Sequence, residues 1–474
     1  MLQPYVPSAA DPFDHVKAAH LLQRAGFGGT PEEIDRVVKL GPRRAVDELL
    51  DFPNAAVEEQ TRTGGPDLSA IEGYPRTFAE QRAMFQGLTE QERMRLRQQL
   101  MRNNREAINK TMAWWVQRMV SGPYPLQEKL VLFWHGHFTT SAQEERRAAL
   151  IWRQNELHRR MAAGNFREYV RLISRDPAML EYLNNAQNRR QAPNENYARE
   201  LMELFTLGRD QYTERDIKEA ARAFTGWAHD GEDFVFRQRD HDPGPKTFMG
   251  RTGHFGGDEI IDIILQHPAC GPYIASRLWN FFVYEPDDRD REMLASLGNV
   301  LVSSGWELRP LLQTMLTSKA FYSPRAMGTQ IKSPVQLVVG TCRLLGVPLP
   351  AFRVMLAQFN QMGQVPLQPP NVKGWPGGRL WINTATLLAR YNTAVMLASG
   401  PIDGLPDPRQ PTGPDEPATP QAVAEYWVRR LIQRPVGSER VAVLARSLGN
   451  RPRDPTAVRR MIQLIVSMPE YQLC

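Results

Sequence analysis

Apolar residues in this chain recur at helical spacing almost throughout, and strand-like alternation is rare. That pattern restricts the fold to a largely helical one, because a repeat of about 3.6 residues cannot cover one face of a pleated strand. The clearest case is Pro193-Asn-Glu-Asn-Tyr-Ala-Arg-Glu-Leu-Met-Glu-Leu-Phe-Thr-Leu-Gly208. At roughly 100° per residue, Leu204, Tyr197, Leu201, Phe205, Ala198 and Met202 fall on one arc. Asn196, Arg199, Glu200 and Glu203 fall on the opposite one, with Glu195 at its edge. Asn194 suits the N-cap and Gly208 the left-handed residue past the end. The acidic face is either a solvated helix surface or one wall of a site.

The same spacing predicts helices over most of the remaining chain. Thr30 with Glu33 makes a capping box. Pro42 opens a segment to Leu50, and a long helix spans 89–119. Leu126, Leu130, Phe133 and Trp134 form a stripe that His137 continues. Further helices fit 145–162, 166–174, 178–183, 213–225, 258–266, 270–283, 288–303, 308–317, 333–345, 352–359 and 384–397. The one departure is Asp233-Phe-Val-Phe-Arg, which alternates and pairs with Lys246-Thr-Phe-Met-Gly. The expected fold is therefore all-α, with at most a small β-hairpin near residues 233–249. Residues 1–398 read as the main helical domain. Residues 399–420, rich in Pro and Gly, read as a linker or loop, and 421–474 as a C-terminal helical segment packed on the main domain.

Composition narrows the function classes. No run approaches the ~18 apolar residues of a membrane helix. Met1 to His15 lacks a basic segment and an apolar core, which reads as no signal peptide and a cytoplasmic protein. Three widely spaced cysteines, Cys270, Cys342 and Cys474, make neither a disulfide framework nor a metal pair. The net charge of +6 is carried by Arg-rich stretches interleaved with Glu, Gln and Leu. Those read as solvated helix faces rather than a nucleic-acid surface.

Four polar clusters could carry chemistry. In Trp134-His-Gly-His-Phe138, His135 and His137 can share a metal only if Gly136 breaks the helix, since within a helix they lie roughly 200° apart. The bland alternative is a buried, hydrogen-bonded His137. Asp240-His-Asp-Pro-Gly-Pro-Lys246 offers His241 between carboxylates, as a base, a ligand or a polar turn. Glu200 and Glu203 can both reach into a helix bundle, but no Glu-x-x-His accompanies them, and Arg199 with Glu195 makes an ordinary ion pair. Pro370-Asn-Val-Lys-Gly-Trp-Pro-Gly-Gly378 is no phosphate loop and reads as a rigid, aromatic-containing cleft wall.

Taken in order, several stretches resemble one family. They are His20-Leu-Leu-Gln-Arg-Ala-Gly-Phe-Gly28, Phe133-Trp-His-Gly-His-Phe138, Pro193–Gly208 and Ala223-Phe-Thr-Gly-Trp227. His241-Asp with Lys246-Thr-Phe-Met-Gly250, and Pro369-Pro-Asn-Val-Lys-Gly-Trp-Pro-Gly-Gly378, complete the set. Together they are similar to the family called domain of unknown function 1800, although that pattern often has Asn where this chain has Gly136. The resemblance implies a helical bacterial protein. It also implies a sulfatase-like partner of the domain of unknown function 1501 family, with which co-export is one route out of the cytoplasm.

Two readings of function follow. In the first, Glu195, Arg199, Glu200, His241 and Lys246 are catalytic, and His135, His137, Glu200 and Glu203 hold a divalent metal, for hydrolysis or oxidation. In the second, the same clusters are buried packing networks of a non-catalytic partner protein.

Overall fold

The computed structural model describes residues 2–53, 64–400 and 419–474. Positions 401–418 of the expected linker lie outside the described residues. Helix starts follow capping chemistry. Thr30, Thr89 and Thr213 each accept the N–H three residues on, and Glu33, Glu92 and Asp216 return the bond. Each of those helices thus begins with two orphan donors satisfied.

The first helices are α1 (His15–Arg24), α2 (Pro31–Leu49), α3 (Phe78–Phe85), α4 (Glu90–Ser121), α5 (Pro125–His137), α6 (Ala148–Arg160), α7 (Phe166–Ser174) and α8 (Pro177–Tyr182). Next come α9 (Asn196–Glu200), α10 (Glu214–Ala223), α11 (Gly257–Leu265), α12 (Cys270–Phe282), α13 (Arg291–Ser303) and α14 (Leu308–Leu316). The last are α15 (Pro334–Leu345), α16 (Phe352–Met362), α17 (Thr384–Ser399), α18 (Pro420–Leu431), α19 (Ser438–Ser447) and α20 (Pro455–Val466). Gly41, at φ 76°, breaks α2, so Pro42 restarts it. No described helix is long and apolar enough to cross a membrane.

The β structure differs from the expected single hairpin. β1 (Trp227–Asp230) pairs with β2 (Asp233–Phe236), and β3 (Lys246–Phe248) pairs with β4 (Arg251–Gly253), both antiparallel. Each closes through a two-residue turn, Gly231-Glu232 and Met249-Gly250. Gly231, Met249 and Gly250 all have positive φ, the geometry that matches strand twist. These local closures are entropically cheaper than joining 233–237 to 246–250 across a longer loop.

Two hydrophobic clusters fill the interior. One runs from the N-terminal helices through α14, and the other joins α4 to α15–α20. Helix α5 belongs to both: Leu126, Leu130, Phe133 and Trp134 pack into the first, Val131 and Leu132 into the second. Every residue from Leu126 to His137 except Gly136 is buried, as expected of a helix enclosed on all sides. Its polar residues therefore need partners.

Glu128 has them in full. Its Oε1 accepts from Arg118 Nε on α4 at 2.5 Å and from Arg159 Nε on α6 at 2.8 Å. Its Oε2 accepts from Arg159 Nη2 and Trp115 Nε1, both at 3.0 Å. Burial pushes this carboxyl up, but Arg159 and Arg118 outweigh it and hold it below its ordinary value. Beside this network, Asp176 caps α8 and accepts from Gln154 Nε2 at 2.7 Å and Met179 N at 3.0 Å. Burial dominates there and pushes the Asp176 carboxyl up to about 6.

Three acidic residues give distinct expectations. Glu128→Gln leaves two buried guanidiniums short of their anion and should cost about 3–5 kcal/mol in urea unfolding. Asp233→Asn, at the exposed Arg153 pair, should cost no more than ~1 kcal/mol. Because Asp176 is raised, its protonated form is favoured in the folded chain. That contribution is full below the ordinary value of 3.8 and is lost as pH rises through about 6. Asp176→Asn, still a good cap, should therefore gain on wild type by on the order of 2–3 kcal/mol between acid and neutral pH. Paired urea titrations at the two pH values measure it.

Candidate functional site

The C-terminal end of α5 meets the Pro/Gly loop 365–379. Gly374 has φ 82°, and a Cβ there would lie 2.1 Å from the Gly136 carbonyl oxygen. Only glycine lets the loop cross α5 this closely. Asn371 holds the approach, its Oδ1 accepting from Lys373 N at 2.9 Å and its carbonyl from Gly374 N at 3.0 Å. Trp375 then lies over Gly136 and beside His135, with ring centroids 5.5 Å apart.

This crossing forms one side of a cleft of about 640 Å³. Lys129, Phe133, Gly136 and His137 of α5 line it, with Arg277 and Phe281 of α12 opposite. Lys373, Trp375 and Arg379 of the loop close one end, and Arg325, Gln330 and Gln336 another. The two helix faces are in register. Lys129, Phe133 and His137 recur every four residues on α5, as do Arg277 and Phe281 on α12. Lys129 Nζ lies 5.6 Å from the Phe281 ring centroid, and the Phe133 and Phe281 rings are 5.2 Å apart. Arg277 is near enough to His137 to disfavour its protonation.

Five cations line the cleft against one carboxylate, Glu285. Arg325 is paired with Asp287 at 3.0 Å and Asp290 at 2.8 Å. Lys129, Arg277, Lys373 and Arg379 make no ion pair with any described residue. Arg277 Nε is buried without a hydrogen-bond partner. Burial lowers His137 to about 3, so it is neutral. Its Nε2–H donates to Phe205 O at 3.0 Å, leaving the buried Nδ1 as an unused acceptor.

The predicted site residues do not gather here. Gly136 does not break α5, so His135 and His137 point apart. His135 packs between Trp115, His158 and Trp375, with neither ring nitrogen bonded. Arg199 bonds Glu195 at 3.2 Å and Glu214 at 2.8 Å, and Glu203 accepts from Arg209 at 2.8 Å. Glu200 is half-buried, its carboxyl raised by burial and by Glu203 and lowered by Arg199 and Lys373. His241 Nδ1 donates to Thr225 O at 2.9 Å. Lys246 Nζ donates to Asp242 O at 2.7 Å and Gly244 O at 2.9 Å, stapling its own loop. Of the named residues only His137 lines the cleft. Among the described residues, no group of three or more His, Cys, Asp or Glu side chains is arranged to hold a metal ion.

The acidic-faced helix itself changes character. Asn194 Oδ1 accepts from Asn196 N at 3.0 Å, and α9 begins at Asn196. Past Glu200 it widens into a π-turn, Leu201–Thr206. Leu207 N bonds Met202 O at 2.9 Å, five residues back, as π geometry requires. Carbonyls on this turn accept from outside it, Leu204 O from Tyr273 OH at 2.7 Å and Phe205 O from His137.

Lys129 and Arg277 belong to none of the four polar clusters in the sequence. Lys129 had a visible signal, since it follows Leu126 by three residues and precedes Phe133 by four, on the buried stripe. Arg277 had none.

Residues 20–473 match the family model described as Protein of unknown function (DUF1800). No curated protein and no solved structure gives a match.

The loop crossing gives opposite expectations for two glycines. Gly374→Ala meets backbone in a left-handed conformation and should lose at least ~1–2 kcal/mol. Gly136→Ala would place its Cβ 3.4 Å from the Trp375 ring, an ordinary contact, and should gain up to about 1 kcal/mol from helix propensity. Thermal unfolding of both variants checks the contrast.

Proposed function

The chain belongs to the family of proteins of unknown function matched over residues 20–473, and on that premise we propose that the α5–α12 cleft binds and turns over a small anionic molecule. The observation that carries this reading is the half-buried Arg277 guanidinium, which makes no ion pair with a described residue and lines a concave space together with a neutral His137. A desolvated guanidinium attracts a carboxylate or phosphate strongly, and the planar fork selects such groups.

Lys373 and Arg379, exposed at the rim, would draw the anion inward before it is desolvated. Metal-assisted hydrolysis or oxidation, the chemistry first expected, lacks a ligand group among the described residues. Binding through cations therefore has more support than binding through a metal. The non-catalytic alternative, a helical partner of a sulfatase-like protein, assigns these cations to packing alone.

Calorimetric titration with inorganic phosphate, sulfate and levulinate separates the two. Saturable binding is expected for at least one anion. Arg277→Gln should weaken it tenfold or more, as loss of a charge-assisted hydrogen bond requires. Flat titrations with all three would overturn the cleft reading and favour the packing role.

A further inference from the structure

Lys129 is the most anomalous charge in the molecule. It is 3% exposed, in the middle of a helix buried on all sides. Its Nζ meets aromatic faces instead of acceptors, with Phe27 at 5.0 Å and Phe281 at 5.6 Å to the ring centroids. No described residue gives it a hydrogen bond or an ion pair. It nonetheless lines the cleft.

Buried lysines are costly and normally paired. Glu128, the residue before it, is fully neutralised on another side of the helix, so the fold had counter-ions available nearby. We infer that Lys129 is a nucleophile that forms an imine with a carbonyl carbon of the anion bound in this cleft. The inference rests on the anion-binding reading above and names its substrate class: an anionic carbonyl compound. On α12, Arg277 lies one helical turn, about 6 Å along the axis, from the Phe281 ring beneath Nζ. The carbonyl carbon and the anionic group are accordingly separated by several bonds, as in an oxo acid with a chain between the two groups or a phosphorylated ketose.

The step balances without a further reactant. The Nζ lone pair forms the N–C bond, and the carbonyl oxygen takes a proton to give a carbinolamine. The C–O bond then breaks, both amine protons leave with that oxygen as one water, and C=N remains. A neutral amine is required. The environment supplies it, since burial lowers Lys129 to about 7. Of the charged or titratable groups facing it, Cys474 pulls it up, and Arg24 of α1 and Lys332 push it down, so burial is what leaves it low.

The test is reductive trapping on the full chain. The protein is incubated near neutral pH with levulinate and sodium cyanoborohydride, with methyl levulinate as the uncharged control, and the adducts are located by peptide mass spectrometry. Lys129 should be the leading site, ahead of exposed Lys39 and Lys319, with a rate that rises through about pH 7. Lys129→Met should lose that adduct while remaining folded, because it exchanges an amine for an apolar chain of similar length. Arg277→Gln should slow levulinate labelling about tenfold and leave the ester unchanged. Labelling spread over exposed lysines with Lys129 unmodified would overturn the nucleophile, even if calorimetry shows anion binding. Equal labelling of Lys129 by acid and ester, unaffected by Arg277→Gln, would overturn the anionic substrate class and, with flat calorimetry, the cleft reading.

Discussion

The carboxylate of Glu128 ties α5, the helix that lines the cleft, to α4 and α6. Arg118 comes from α4 and Arg159 from α6, and both close on the same group in the middle of α5. The desolvation cost of three buried charges is offset only when geometry and hydrogen bonding are near complete. Four bonds to two carboxylate oxygens meet that condition here. The arrangement sets the rotation of α5 about its own axis. One residue further on, and about 100° round the helix, Lys129 is placed against the Phe27 and Phe281 rings, with no ion pair to a described residue.

Much of the fold was legible because its signals are local. The capping box of Thr30 with Glu33 depends on four consecutive residues, and α2 begins where they place it. The hairpin pairing was misread because alternation in 233–237 says that a strand exists and not which strand it joins. Gly231 and Gly250 decide that, because each supplies the positive φ that a two-residue turn needs. The π-turn had no sequence signal at all. Its carbonyl partners, Tyr273 and His137, lie about seventy residues away on either side, and tertiary contacts chose the wider turn.

The site was legible only in part, for a related reason. Polar residues that cluster in sequence, such as Asp240 to Lys246 or Glu195 to Glu203, find their partners within a few turns of themselves. Arg199 closes on Glu195 and Glu214, and Lys246 on Asp242 and Gly244. A chemically available group is one whose neighbours in sequence are apolar, so that nothing local satisfies it. Lys129 among Leu126, Leu130 and Phe133 fits that description. Two of the distinctive stretches take part in the frame: Gly374 crosses Gly136, and His137 bonds the π-turn.

A π-turn is an α-helix carrying one residue more than its register needs. Losing any one residue from 201–206 would give a more regular helix with better backbone bonds. It would also rotate one half against the other by about 100°. Tyr197, whose hydroxyl now bonds Ser174, and Phe205, whose carbonyl now bonds His137, could not both keep their partners. The segment is therefore intolerant of length change although it tolerates an imperfect helix. Chains that preserve this fold should vary in residue type along 201–206 far more readily than in residue number.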